Sequence, residues 1–242
     1  MADLVLLHGW GTHPVIWDPL LAHFPGEWEV HNLPLPGYAG SASIDQYELD
    51  RLAEALVPQL PERAVLVGWS LGGLVAMLMA HRWPERVHRL VLIGATPCFI
   101  SRPDWPHAVP PDVFAGFAES LALNYEDTLR RFLALQAQGS ASMREVLREL
   151  RIRLLSLPRP SDLVLHAGLE ILQKADLRKA LPSTPMHIVH GSGDRLAPIE
   201  AAQCLAKSAD DARLLEIKGA GHAPFLSHPE MVASFIKEVV DG

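Results

Sequence analysis

The sequence predicts an α/β fold with a mostly parallel central sheet, flanked by helices and carrying a helical insertion. Short β-rich apolar runs alternate with helical patterns at both ends of the chain, which is the arrangement that builds a parallel sheet with crossover helices. The runs are apolar on both sides, as in strands covered on both faces. Between roughly residues 97 and 182 the alternation stops, and the segment reads as several helices without a strand.

Strands are expected at 4–8, 29–33, 64–68, 90–94, 186–190 and 214–218. Of the connecting helices, one carries Leu49, Leu52, Ala53 and Leu56 at helical spacing, and the last carries Val232, Phe235, Ile236 and Val239. Each lays one apolar stripe on the sheet. Ser227, followed by Pro229 and by Glu230 three positions on, reads as a capping box that starts the last helix. The insertion opens on prolines 97, 103, 106, 110 and 111, which suits an irregular connector leaving the sheet. The expected organisation is a core of residues 1–96 and 183–242 with a helical cap, or lid, at 97–182.

Composition narrows the functional classes. With 21 basic against 28 acidic residues the net charge is −7, which argues against nucleic-acid binding by broad phosphate neutralisation. No apolar run approaches the length of a membrane span, and the opening MADLVLLHGW lacks a basic leader region, so a cytoplasmic protein with an untrimmed start is expected. Cys98 and Cys204 are far apart and show no metal-ligand spacing, and the twelve histidines contain no HExxH. No metal or other cofactor is expected.

The chemistry lies in three short motifs. Gly68-Trp69-Ser70-Leu71-Gly72 fits G-x-S-x-G between an expected strand and an expected helix over 71–81, where a nucleophilic serine sits on a sharp turn. His8-Gly9-Trp10-Gly11 ends the first strand, and such a loop aims a backbone N–H into the site; with the N–H of Leu71 it makes a two-donor oxyanion hole. Asp194 follows in HGSGD, after a late strand, and His222 follows in GAGHAP, before the last helix. Serine as nucleophile, histidine as general base and aspartate to orient and stabilise the imidazolium make a catalytic triad. His228 is the nearest rival to His222 but suits a helix start. His8, His81, His88 and His190 are read as structural or surface residues.

These motifs, in this order, resemble the α/β-hydrolase superfamily over the whole chain. HGWG, GWSLGG, PERV, PCF, RFLALQ, GLEIL, DLR and HAPFLSHP are similar to the pimeloyl-[acyl-carrier protein] methyl ester esterases of biotin synthesis, and several of them fall in the insertion. The resemblance implies a serine carboxylesterase that hydrolyses the methyl ester of pimeloyl-acyl carrier protein and spares the thioester. It implies an oxyanion hole from Trp10 and Leu71. It also implies substrate contacts from Trp10, Ser70, Leu71, Phe132, Leu133, Ala134, Leu135, Gln136 and His222, although helix packing accounts equally for Phe132, Leu133 and Leu135.

The implied partner is an acyl carrier protein bearing the pimeloyl methyl ester, with no nucleic acid or membrane, and the chain is expected to be a monomer. Residues 125–160 hold seven arginines and four acids. The resemblance marks Arg131, Arg144 and Arg148 for carrier docking and puts an acid, Asp127, at a fourth family position that is basic. Arg144, Arg148 and Arg151 form one stripe of a helix whose apolar face would be Met143, Leu147, Leu150 and Leu154. A docking stripe and a solvated helix face both fit that pattern. Two other functions stay open from sequence: a broad carboxylesterase for short acyl esters, and a hydrolase-like ligand-binding protein without turnover.

Overall fold

Six parallel strands form one sheet in the order β2-β1-β3-β4-β5-β6 in the computed structural model, which describes residues 3–154 and 157–242. The strands are β1 (Asp3–Leu7), β2 (Glu29–Leu33), β3 (Ala64–Trp69), β4 (Val87–Ile93), β5 (Met186–Gly191) and β6 (Ala212–Ile217). All six expected strands are present, displaced by at most three residues at either end. Every pairing is parallel. Central β3 is buried along its whole length, whereas the edge strands β2 and β6 are largely half-buried, so two-sided burial holds only where neighbours cover both edges.

The helices are α1 (Asp18–Leu21), α2 (Leu49–Leu56), α3 (Leu71–Arg82), α4 (Pro111–Leu123), α5 (Tyr125–Ala137), α6 (Met143–Leu154), α7 (Asp162–Lys174), α8 (Ile199–Ser208), α9 (Pro224–Ser227) and α10 (Pro229–Asp241). Helices α2, α3 and α8 pack on one face of the sheet, and α1, α9 and α10 on the other. Helix α3 is apolar all round and buried from Leu71 to Ala80, as a helix enclosed by its neighbours must be. In α10 the expected stripe of Val232, Phe235, Ile236 and Val239 is buried.

Helices α4 to α7 lie between β4 and β5 in sequence. The two chain segments that enter and leave this stretch are stitched together. The Leu177 N–H donates to the Pro97 carbonyl at 2.9 Å, Arg178 meets Asp104 at 2.9 Å, and Arg102 meets Asp176 at 3.5 Å. The proline-rich entry is further pinned by isolated bridges, Ile100 with Val109 and Arg102 with Trp105.

Two local expectations are corrected. Ser227 does not cap the last helix: it ends α9, and its hydroxyl lies 2.8 Å from His228 Nδ1, while His228 occupies the cap position without a side-chain bond to the N–H groups of the last helix. The proline at 224 starts a separate turn of helix, so the serine is already inside helical backbone where the capping geometry is lost. In α6 the buried face is Val146, Leu150 and Leu154, with Leu147 half-buried and Met143 exposed. Among the described residues no helix is long and apolar enough to cross a membrane.

Candidate active site

Strand β1 pairs with β2 on one side and β3 on the other, so the order of strands reverses there, and ligands bind outside the carboxyl ends at such a point. The loops leaving β1 and β3 carry Trp10 and Ser70. Ser70 sits between β3 and α3 with φ 55° and ψ −119°, a backbone conformation strained for any residue with a Cβ. Its N–H donates to the Ile93 carbonyl at 3.1 Å, and its own carbonyl accepts from Gly73 and Leu74. This turn requires its glycines. A Cβ on Gly68 would stand 2.5 Å from the Gly72 carbonyl oxygen, and one on Gly72 would collide with the carbonyls of Leu7 and His8.

Asp194 follows β5 and His222 follows β6. The His222 Nδ1–H donates to Asp194 Oδ2 at 2.8 Å, and both side chains are buried. Asp194 Oδ1 accepts the N–H groups of Leu196 at 2.8 Å and Ala197 at 3.0 Å. Burial alone would raise the pKa of this carboxyl, but the charges and hydrogen bonds of His222 and His190 outweigh it and hold the group well below the usual carboxylate range. The carboxylate therefore stays ionised and fixes a His222 tautomer with Nε2 free to accept a proton. The Ser70 hydroxyl is not hydrogen bonded to His222 in this structure, yet both side chains line one cavity of about 80 Å³ whose other ten lining residues are all apolar.

The oxyanion candidates are backbone groups. Among the described residues, neither the Trp10 N–H nor the Leu71 N–H is given to a protein acceptor. The loop of Trp10 is braced from behind by His8, whose Nδ1–H donates to the Gly9 carbonyl and whose Nε2 accepts from the Leu35 N–H. Burial pushes the His8 pKa down to about 4, so the ring is neutral and can both donate and accept.

Of the side chains expected to touch substrate, Phe132 and Leu135 line the cavity beside Ser70 and His222. The Trp10 ring forms the layer behind them: its Nε1–H donates to the Leu165 carbonyl at 2.8 Å, and its edge meets Phe132. Leu71 is buried on the same side of the sheet. Leu133 packs elsewhere, with Ala137, Val146 and Leu150 on the opposite cluster, because successive helical positions point about 100° apart. Ala134 is half-buried and outside the cavity lining. Gln136 is buried, and its contribution is its carbonyl, which accepts the His222 N–H at 3.1 Å.

Arg131, Arg144 and Arg148 are exposed on the packed pair α5 and α6. Arg148 reaches only its neighbour Glu149, at 3.5 Å, among the ion pairs of the described residues. Asp127 has a structural employment: Asn124 caps α5 by accepting the Asp127 N–H, and its amide donates to Asp127 Oδ2 at 2.9 Å. Asp127 thus steadies the capping side chain itself, while the Asn124 N–H goes to the Ser120 carbonyl.

Some participants escaped sequence reasoning. Phe99, Phe114, Phe117, Leu169 and Leu172 supply much of the cavity wall, and an apolar helix stripe carries no sign of which cavity it will face. His190, read as structural, reaches the Asp194 carboxylate, its Nε2 3.3 Å from Oδ2. Complete burial opposes a charge on that ring, but Asp194 prevails and raises its pKa. The one grouping of potential metal ligands among the described residues, Asp3, Glu29 and His31, is at the opposite, amino-terminal end of β1 and β2.

Residues 4–235 match the model of the alpha/beta hydrolase family. A pimeloyl-[acyl-carrier protein] methyl ester esterase from Aromatoleum aromaticum is 45% identical, the match covering 99% of this chain and 98% of that protein. One of the same description from Nitrosomonas europaea is 42% identical over 96% and 93%. Among solved structures, a hydrolase from Oleispira antarctica superposes with a TM-score of 0.89 at 20% identity, over 100% of this chain and 92% of the other; it shares the fold. The chain belongs to the alpha/beta hydrolase family, in the branch of the pimeloyl-[acyl-carrier protein] methyl ester esterases.

Proposed function

We propose that this chain is a serine carboxylesterase that hydrolyses the methyl ester of pimeloyl-[acyl-carrier protein], giving pimeloyl-[acyl-carrier protein] and methanol in biotin synthesis. The observation that carries the reading is the strained Ser70 opening onto an apolar cavity together with His222, whose far nitrogen is held by Asp194. Near-full-length relatives of that description support the choice of substrate.

In the proposed reaction Ser70 Oγ attacks the ester carbonyl carbon as His222 Nε2 takes its proton. The Trp10 and Leu71 N–H groups receive the oxyanion, where preorganised donors are most effective. Collapse expels methoxide, which takes the proton from the His222 imidazolium and leaves as methanol. Water then repeats the sequence on the acyl-serine and releases a carboxylate. Asp194 stays ionised throughout and stabilises the imidazolium.

The cavity wall suits this substrate. Each methylene of the pimeloyl chain gains about 0.8 kcal/mol on leaving water, and a neutral methyl ester enters apolar surroundings that a carboxylate resists. The product is therefore held less well than the substrate. Phe132 and Leu135 would contact the chain, and residues 97–182 would act as the cap over the core of 1–96 and 183–242. Arg131, Arg144 and Arg148 would dock the acyl carrier protein, whose acidic surface complements them. We further propose a cytoplasmic monomer that works without a cofactor.

The test compares kcat/KM on methyl pimeloyl-carrier protein with that on short nitrophenyl esters. The proposal expects preference for the carrier-bound ester. Preference for the free esters would make the protein a generalist esterase, and turnover of neither would make it a ligand-binding relative.

A further inference from the structure

Two histidines meet the Asp194 carboxylate, and only one belongs to the triad. His190 lies at the carboxyl end of β5, four residues before Asp194, and its side chain has no exposed surface. Nε2 stands 2.6 Å from the Ala197 carbonyl oxygen and 3.3 Å from Asp194 Oδ2. A carbonyl oxygen only accepts, so Nε2 carries the proton and shares it between these two oxygens. Nδ1 is buried and has no partner among the described residues. An apolar ring of similar size would fill the same space without leaving a nitrogen unpaired. Packing alone does not account for a histidine here.

We infer that His190 is a positioning residue for the catalytic acid: its Nε2–H holds Asp194 Oδ2 and the Ala197 carbonyl together, and so sets how strongly the carboxylate draws the His222 proton. The inference rests on the proposed roles of Asp194 and His222. Oδ1 is already occupied by the Leu196 and Ala197 N–H groups, which leaves Oδ2 to the two histidines. His190 thus fastens both ends of the turn from 194 to 197, through the side chain of its first residue and the carbonyl of its last. The charged groups that act on the His190 ring are Asp194 and, from the neighbouring strand, its register partner Glu216.

The direction of the effect follows from sharing. A donor on Oδ2 stabilises the carboxylate without any contribution from the His222 imidazolium. Removing it leaves more of the carboxylate's charge for His222, so His222 gives up its proton at higher pH. The acid limb of kcat/KM, which reports the free base, then moves upward. Loss of the tie to Ala197 loosens the carboxylate and lowers kcat, while the cavity wall, built apart from Leu196 on elements outside this turn, keeps KM near its starting value.

The experiment measures pH profiles on a small neutral ester for wild type, His190→Phe and His190→Gln. His190→Phe is expected to raise the acid limb by roughly half a unit, the effect of one modest hydrogen bond, and to lower kcat about tenfold. In His190→Gln the amide N–H reaches the position of Nε2 and returns both values towards wild type. Nitrogen NMR of the wild type labelled at histidine is expected to find His190 Nε2 protonated across the active pH range, a readout independent of how the variants fold. An unchanged or lowered acid limb in His190→Phe, a folded His190→Gln that behaves like Phe, or a His190 protonated only at Nδ1 overturns the inference. Asp194→Asn, run in parallel, separates the two levels: full activity there would defeat the triad reading itself, whereas loss there with indifferent His190 variants defeats only the role of His190.

Discussion

At Ser70 strain and the proposed chemistry occupy the same residue, and they separate by substitution. Ser70→Ala and His222→Ala should each lower kcat by at least about a thousandfold with the fold intact, and the double variant should be little worse, because the residues act as one unit. Steady-state kinetics with circular dichroism checks this. Ser70→Gly should be equally inactive yet more stable than Ser70→Ala by about 1 kcal/mol in urea unfolding, since glycine accepts φ 55° without penalty. Titration adds a second signature. The folded pKa of His8 is lowered to about 4 by burial, so the unfolded chain binds that proton first. The stability from a neutral His8 is complete above about pH 6.5 and is lost as pH falls towards 4. Asp194, with its carboxyl pKa depressed, loses its contribution only at lower pH. Denaturation midpoints should therefore fall between pH 7 and 4.5, and His8→Asn should flatten that slope. The candidate triad could be proposed from sequence because Ser70, Asp194 and His222 each sit in a short local motif, and the structure brings the three loops together. His190 could not, since nothing in HGSGD tells which way a buried strand-end ring will turn.

Helix α5 and the turn after it brace the loops that carry Asp194 and His222. The Gln136 carbonyl accepts the His222 N–H, and the Ala141 N–H donates to the Gly219 carbonyl at 2.7 Å. Gly139, at φ 85°, lies so close to Gly193 that a Cβ on either would collide with the other's carbonyl. Gly139→Ala should therefore cost activity on every ester, by roughly tenfold or more, and lower the thermal midpoint. Gly116→Ala, on the exposed side of α4 with open space around it, should stabilise by about 0.5–1 kcal/mol and leave kinetics unchanged. The inner strands were readable in sequence because burial on both faces leaves nearly uninterrupted apolar runs, whereas the half-buried edge strands β2 and β6 carry polar residues. The Ser227 cap failed because Pro224 starts a helical turn of its own ahead of the last helix. The α6 face was misread because Met143, at the helix start, remains 45% exposed while Val146 turns inward; the tertiary partner chooses among adjacent stripes.

On the scale of the whole molecule a net charge of −7 coexists with exposed arginines on α5 and α6. Replacing Arg131, Arg144 and Arg148 together with glutamate should cripple hydrolysis of the carrier-bound methyl ester and spare a small free ester, because steering and orientation of an acidic partner are lost while the triad is untouched. Added salt should slow the wild type on the carrier-bound substrate alone, mainly in kcat/KM, since exposed charges beyond about 8–10 Å are screened near physiological ionic strength. Parallel loss of both activities would make these arginines structural, and loss of neither would place the carrier elsewhere. Charge counts exposed these arginines in the sequence; the cavity, assembled from three helices and four loops far apart in the chain, had no local signature. The most direct measurement of the central claim is intact-mass analysis of methyl pimeloyl-carrier protein after incubation with the wild type and with Ser70→Ala. The wild type should exchange the methyl group for hydrogen and leave the acyl chain on the carrier, and Ser70→Ala should leave the mass unchanged. Release of the acyl chain from the carrier, or demethylation that survives the loss of Ser70, would contradict it.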